Sequence, residues 1–521
     1  MDGRTYHRAK GEFLRGKTGI VVLWVFLGGC SSKALSPPSD GGTGGAVADA
    51  GGMGGGMGAG LGGNGGAHLQ STFQASLNRK LDILFMVDNS QSMLPMQAKL
   101  LAQFPVFMNV LKTVPTGDGS GTGLPDLHVA VVSSDTGPGQ FNLPDRHCAF
   151  SGDGGRFQSA PRGSCTTAPL ASDQHYLATS MNQAVKNYQG DISDAFTCIA
   201  ALGDQGCGFE GQLKSVRWAL DPLKVPDGNQ GFLRADAILA VILITNEDDC
   251  SVPDDSMMID PSQTRMSDPL GPLWSWRCNE FGHLCNIGGT LRSPPRGPAM
   301  NNLQGCVSND TPSGKLTHVA DEVNFLKSLK PDPSQILVAA ITGPASPYGI
   351  EMIQTAADAE QHPNIVHSCT QNTGEFADPA VRIQQWVEAF GNHGLLQTIC
   401  ATSFAPPLML IATELGKLLG PACITNNLVD VDLATAGLQP DCVVTDKYVN
   451  DQGRTISTPV PACAANGGTP PCWSLVADAT KCPAASLILN VNRGLGQLPN
   501  GLVTSLSCAL CVPGLSTPGC P

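Results

Sequence analysis

The chain lacks the marks of several common functional classes. No stripe of Lys and Arg with interleaved aromatics runs through its 521 residues, and its formal net charge is −13. That balance argues against a nucleic-acid partner and suits a solvated acidic surface. The ten histidines include no His-Glu-x-x-His, the spacing that puts two imidazoles on one helix face for zinc. No Gly-x-Ser-x-Gly elbow presents a serine nucleophile. The one Cys-x-x-Cys, Cys508-Ala-Leu-Cys511, has no second copy to complete a zinc site and no βαβ pattern around it. Structural disulfide bonding is the reading for these thiols. The N-terminal apolar run, residues 20–27, is too short to cross a bilayer. Nothing here announces an enzyme.

What is present begins with Arg4, Arg8, Lys10, Arg15 and Lys17 ahead of that apolar run, the layout of an export signal. Leu27-Gly-Gly-Cys30 resembles a bacterial lipobox, in which cleavage before the cysteine leaves it carrying lipid. Ser31 after it resembles the default signal for the outer membrane of Gram-negative bacteria. Lipid on Cys30 would anchor the chain at that membrane, periplasmic or surface-exposed, without a transmembrane helix. Removing Cys30 from nineteen cysteines leaves an even number, as paired thiols in an oxidising compartment require. Spacing does not assign the pairs, although Cys198/Cys207 and Cys278/Cys285 are candidate local loops. Residues 31–78 are dominated by glycine, as in Gly51-Gly-Met-Gly-Gly-Gly-Met-Gly58. They read as a flexible tether of roughly 35 Å root-mean-square reach.

From residue 79 the pattern alternates between strand and helix. Residues 81–87, 127–133, 235–245 and 335–342 are apolar strand candidates. Residues 93–114, 210–223, 318–329, 379–390 and 404–419 carry helical periodicity. Strands apolar on both faces and alternating with helices imply α/β architecture, a doubly wound and mainly parallel sheet. Two long insertions, about 135–205 and 251–316, read as disulfide-bearing loops. From residue 422 to 521, eight cysteines and short β-prone pieces such as 486–491 read as a small disulfide-stapled module. The expected organisation is a signal (1–30), a tether (31–78), the α/β domain (79–421) and this module.

The strand at 81–87 runs directly into Asp88-x-Ser90-x-Ser92. A turn at the end of a buried strand can aim one carboxylate and two hydroxyls at a common point. Such hard oxygen donors suit Mg²⁺, Mn²⁺ or Ca²⁺ and not zinc or copper. The motif resembles the metal-ion-dependent adhesion site (MIDAS) of von Willebrand factor A (vWA) domains, whose Rossmann-like fold agrees with the periodicity. The resemblance spans about residues 79–421 and implies a divalent cation, Mg²⁺ first, held by three loops. Asp88, Ser90 and Ser92 match the first. At the second, Cys207 falls near the usual Thr, and Glu210 is the substitute oxygen donor, the alternative being a Glu that favours a helix dipole. At the third, Asn246 occupies the Asp position, and Asp248 and Glu247 become the candidates, Asp248 first. The alternative there is an acidic loop start that caps the next segment. Asp135 is a further candidate.

The resemblance implies a binding module: a lipid-tethered domain gripping an acidic side chain of a protein partner through the cation. Ligands of open α/β sheets bind beyond the carboxyl ends of the strands, where the motif falls. A structural envelope protein with a degenerate metal site and a metal-dependent hydrolase are the alternatives.

Overall fold

The computed structural model describes residues 68–74 and 79–520, except 115–121, 144–146, 224, 355–359, 420–422, 425–426, 451, 453, 478–486, 495–498, 500–501 and 512–517. The signal segment, Cys30 and most of the glycine-rich segment lie outside the described residues. Residues 55–521 belong to one compact unit.

Its principal sheet has six strands: β1 (Lys80–Val87), β2 (Asp126–Ser133), β3 (Leu177–Thr179), β4 (Ile238–Ile244), β5 (Ile336–Thr342) and β6 (Gly394–Thr398). Their order is β3-β2-β1-β4-β5-β6. Every neighbouring pair is parallel except β2 with the short edge strand β3. The α-helices among the described residues are α1 (Leu94–Lys112), α2 (Ile192–Ala200), α3 (Gln212–Leu220), α4 (Trp276–Gly282), α5 (Val319–Ser328), α6 (Val381–Glu388) and α7 (Ala405–Leu419).

Side chains alternate across a strand, and β1 shows the consequence. Leu81, Ile83, Phe85 and Val87 join one core with residues of α1, α2 and α7. Leu84 and Met86 join a second core with residues of α3, α5 and α6. Both faces of the sheet are therefore covered, which is why β4 and β5 are buried at every position. On the first face Phe85 meets the rings of Phe104, Phe107 and Phe196 edge-on at 5.8, 5.8 and 4.9 Å. Fully burying an apolar side chain of this size stabilises by about 1.5–3 kcal/mol, and this cluster locks α1 and α2 against β1.

The strands at 81–87, 127–133, 235–245 and 335–342 and the five helices stand where periodicity puts them, with ends shifted by a few residues. The insertions differ from the loop reading. Residues 135–205 contribute β3 and α2. Residues 251–316 hold α4 and three strands of a separate five-stranded sheet, ordered His362–Val366, Tyr348–Ile353, Met300–Ser308, His283–Ile287 and Thr290–Arg292.

The disulfides also correct the local-loop pairing. Cys198 joins Cys165 and Cys207 joins Cys148; Cys278 joins Cys250 and Cys285 joins Cys306. Cys285 lies in a strand paired antiparallel with the one that carries Cys306, so the sheet decides its partner. Cys508 and Cys511 do not bond to each other; they bond to Cys442 and Cys520.

The strands of the C-terminal module pair antiparallel. One sheet runs His68–Gln74, Val503–Ala509, Cys442–Val449, Thr455–Val460, and a second joins Cys423–Ile424, Leu487–Asn492 and Cys472–Ala477. Residues 68–74 thus form a strand, in a stretch read from its glycine content as tether. They close an edge of the module that would otherwise expose unpaired backbone groups.

Candidate functional site

Register builds the centre of the site. Ser133, Val87 and Ile244 sit side by side at the carboxyl ends of β2, β1 and β4. The next residue of each chain, Ser134, Asp88 and Thr245, therefore emerges at the same level. The chain leaves β1 toward β2 on one side and reaches β4 on the other, so this is the topological switch point of the sheet.

Asp88 is fully buried and richly bonded. Its Oδ1 accepts from the Ser90 backbone N–H at 2.8 Å and from the Ser134 hydroxyl at 3.0 Å. Its Oδ2 accepts from the Thr245 hydroxyl at 2.6 Å. Burial raises the pKa of this carboxyl above the ordinary aspartate value, and the bonds from Thr245, Ser90 and Ser134 oppose the rise. Gln97 of α1 donates to the Asp88 carbonyl at 2.8 Å and holds the turn. Ser134 and Thr245 escaped the motif reading. Each stands one residue past a registered strand end, as Asp88 does, so register was the signal that would have found them.

The hydroxyls of the motif differ. Ser92 donates to Asn246 Oδ1 at 3.1 Å, joining the first loop to the third. Ser90 is 4 % exposed, and its Oγ, near enough to the Asp88 carboxylate to favour its charged form, makes no hydrogen bond of proper geometry.

The second loop docks tightly on the first. The Gly206 N–H donates to the Asn89 carbonyl at 2.8 Å, and a Cβ at Gly206 would stand 2.3 Å from Asn89 Oδ1. Only glycine fits that approach. Cys207 is committed to Cys148 and offers no thiolate. Glu210, 2 % exposed, does not serve the helix that follows it. The first amides of α3 are taken by other side chains: Asp249 Oδ1 accepts from Leu213 N–H and Ser251 Oγ from Lys214 N–H, both at 2.9 Å. The Glu210 carboxyl instead interacts with the Glu247 carboxyl, and its Oε1 makes no hydrogen bond of proper geometry. Burial first, then the charges of Glu247 and Asp88, hold its pKa well above the usual glutamate value. Glu247, partly exposed, is pushed up to about 8 by burial, Asp378 and Asp88, against the bond from Glu210.

The acids after Glu247 turn elsewhere. Asp248 accepts from the Arg382 and Ile383 N–H groups at 2.9 and 3.1 Å, at the start of α6. It also meets His283 Nε2 at 2.7 Å, and His283 Nδ1 meets the Tyr348 hydroxyl at 2.9 Å. Asp249 forms a fully buried ion pair with Arg382 at 3.0 Å. Both residues cap helices, though these are α6 and α3 and not the segment that follows, and neither oxygen of Asp248 is spare. Asp135 bonds the backbone of the second loop at Cys207 and none of these carboxyls. It accepts from Gly137 N–H at 2.9 Å within its own turn, and burial raises it to about 6.

A small cleft opens over the second and third loops, lined by Glu210, Glu247, Asp248, His283 and Asp378 among others. Among the described residues, no three His, Cys, Asp or Glu side chains converge as a metal cluster; the donor set here mixes hydroxyls with carboxylates. Its fit to a hard divalent cation rests on the orphaned atoms. Buried polar groups are almost always bonded, and two that are not, Ser90 Oγ and Glu210 Oε1, belong to residues within electrostatic reach of Asp88.

No known family profile matches the sequence, and no curated protein sequence matches it. Among solved structures the chain is similar to the pilus adhesin SpaC from Lactobacillus rhamnosus GG in its open conformation, at 14 % identity and TM-score 0.28 over 86 % of this chain and 41 % of that one. It is similar to the pilus adhesin RrgA from Streptococcus pneumoniae at 12 % identity and TM-score 0.20 over 85 % and 57 %. The human COPII-coat protein Sec24c aligns at 8 % identity and TM-score 0.27 over 85 % and 46 %. This chain therefore spans less than two-thirds of each. Likeness this loose carries no functional weight, and the chemistry of the cleft has to carry the reading.

Proposed function

We propose that this chain is an exported binding protein of the von Willebrand A type, lipid-anchored through Cys30 at the outer membrane. In this reading it grips an acidic side chain of a protein partner through a divalent cation. The observation that carries the reading is the pair of buried oxygens without a properly formed hydrogen bond, Ser90 Oγ and Glu210 Oε1, on residues within electrostatic reach of the desolvated Asp88. A buried carboxyl with an unsatisfied oxygen costs about 1–3 kcal/mol or more, and coordination would remove that cost. The eight disulfides among the described residues fit an exported protein, and none of the described helices is long and apolar enough to cross a membrane.

Asp88, Ser90, Ser92, Glu210 and Glu247 would hold the cation. A bound divalent cation supplies an electrophilic position for a partner's oxygen. The protein's part is positioning. Ser134 and Thr245 fix both oxygens of Asp88, Asn246 orients the Ser92 hydroxyl, and the Cys148–Cys207 bond fastens the loop that carries Glu210.

The test is thermal unfolding of the purified chain with Mg²⁺, Mn²⁺ or Ca²⁺, wild type beside Asp88→Ala. The cation raises the wild-type midpoint and leaves the variant unmoved. A wild type indifferent to all three cations would leave the structural envelope role in its place.

A further inference from the structure

We propose that the loop of residues 431–438 in the C-terminal module is a membrane contact, laying Val431, Leu433 and Leu438 on the surface of a zwitterionic phospholipid bilayer. The inference rests on the reading of Cys30 as a lipid anchor and adds a second point of attachment to it.

Residues 431–438 are exposed without a break. Val431 is 64 % exposed, Leu433 74 % and Leu438 42 %, and Val443 just beyond them is 60 % exposed. A lone exposed apolar side chain is ordinary, but a cluster of them marks a contact with protein or membrane. The loop that carries them is firmly built. At its base Val429 N–H donates to the Ala509 carbonyl at 3.1 Å, Asp430 N–H to the Gly519 carbonyl at 2.8 Å, and Val431 N–H to the Gln439 carbonyl at 2.9 Å. Asp430 Oδ1 accepts from the N–H groups of Asp432 and Gln439, and the Asp432 carboxylate accepts from Ala434 N–H and the Thr435 hydroxyl. These polar groups are bonded within the turn, which lowers the cost of drawing it out of water.

Strand register says which surface the loop meets. His68 pairs opposite Ala509, and on the other side of the same strand Ala509 bonds Val429 and Asp441 at the base of the loop. The chain that comes from Cys30 therefore joins the module at the end of the sheet where the loop is rooted. Two strand spacings, about 10 Å, separate the two points. A lipid on Cys30 would draw this end of the module toward the bilayer. Charge narrows the surface further. No Lys, Arg or His lies between Lys417 and Lys447, whereas Asp430, Asp432 and Asp441 do. Anionic lipid attracts basic segments and would repel this one, so the fitting surface has neutral headgroups.

The test uses the exported chain, purified and reconstituted in vesicles of phosphatidylcholine and phosphatidylethanolamine. Leu433→Trp places a fluorescent reporter at the tip, and bromine on the upper acyl chains reads its depth. The emission that this tryptophan adds is quenched, while the native tryptophans of wild type are not. Adding Val431→Ser and Leu438→Ser lowers the ratio of inserted to free loop about tenfold. All three positions are exposed, so circular dichroism stays unchanged. Phosphatidylglycerol mixed into the vesicles weakens the quenching. A reporter that is never quenched, quenching that the serines leave unmoved, or stronger quenching on phosphatidylglycerol would overturn the inference. A dimer in sedimentation that the same serines dissolve would make the loop a contact between copies and overturn it as well. Mass spectrometry of the N-terminal peptide reads the anchor separately: a Cys30 without lipid brings down the anchor reading and this inference with it, whereas a lipid-bearing chain with an unquenched reporter brings down this inference alone.

Discussion

Two acid-bearing turns leave neighbouring strands at the same level and spend their carboxylates in opposite ways. After β1, Asp88 gathers donors from Ser90, Ser134 and Thr245 at the switch point. After β4, Asp248 and Asp249 turn to the first amides of α6 and α3, and Asp249 also to Arg382. The difference is one of competition. A helix N-terminus is a ready anion site, and two of them lie within reach of the β4 turn. The turn after β1 offers its acid no such outlet, since α1 begins behind a short 3₁₀ turn and has no side-chain cap. Equivalent places on one sheet thus yield a candidate ligand in one turn and structural anchors in the other.

The largest effect that could break this comparison belongs to Asp249. Its pair with Arg382 is shielded completely from solvent on both sides. Asp249→Asn leaves the guanidinium buried and uncompensated, a loss of about 3–5 kcal/mol in unfolding free energy, read by denaturant titration. The fraction that folds still answers to cation. A variant of normal stability that no longer responds to cation would move Asp249 from anchor to ligand.

Asp88→Asn gives the mirror image. At a cation concentration one hundred times the dissociation constant, wild type gains about 2.7 kcal/mol of stability. The variant gains none of it, while the amide oxygen keeps some of the bonds from Ser90, Ser134 and Thr245. Denaturant midpoints with and without cation measure both quantities, and a cation response that survived would remove Asp88 from the centre.

Why one turn was legible and the other not follows from where the deciding partners lie. Asp88, Ser90 and Ser92 sit within five residues of one another after an apolar run, so their convergence is local. The roles of Asp248 and Asp249 depend on α6 and Arg382, more than 130 residues along the chain. The same holds for the fold. The strands β1, β2, β4 and β5 are apolar on both faces and announce themselves. β3 has three residues, β6 is nowhere fully buried, and α2 hides in a cysteine-bearing insertion. The strand His68–Gln74 has meaning only through its pairing with Val503–Ala509. Each of these takes its identity from a neighbour distant in sequence, which periodicity does not report.

A smaller effect sharpens the comparison at Asp248. Its carboxylate accepts two amides of α6 and pins His283 of the inserted sheet. Asp248→Ala removes the cap and costs about 0.5–2 kcal/mol, with cation affinity retained within about threefold. Calorimetry on the folded variant separates the two. A collapse of affinity with little change in stability would restore Asp248 to the ligand set.

The smallest effect concerns the acid between these extremes. Asp378 lines the same cleft, donates its N–H to the Asn246 carbonyl at 2.8 Å, and meets His367 Nδ1 at 2.6 Å. Its carboxylate is thus spent on a partner that itself titrates. The bond to Asp378 raises the His367 pKa above 6.5, burial opposes it, and the charges of Asp378 and Glu351 add to the rise. Because the folded value lies above the unfolded one, the pair's contribution is fully present below pH 6.5 and fades as pH climbs through the folded value. His367 is 38 % exposed, so screening holds that contribution below about 1 kcal/mol. Stability curves of wild type and His367→Ala therefore separate slightly at pH 5.5 and converge above neutrality. A separation that widens with rising pH would mean that His367 stabilises the fold as a neutral ring stacked on Phe376, 3.9 Å away, and that Asp378 is as free as Asp88 to face the cleft.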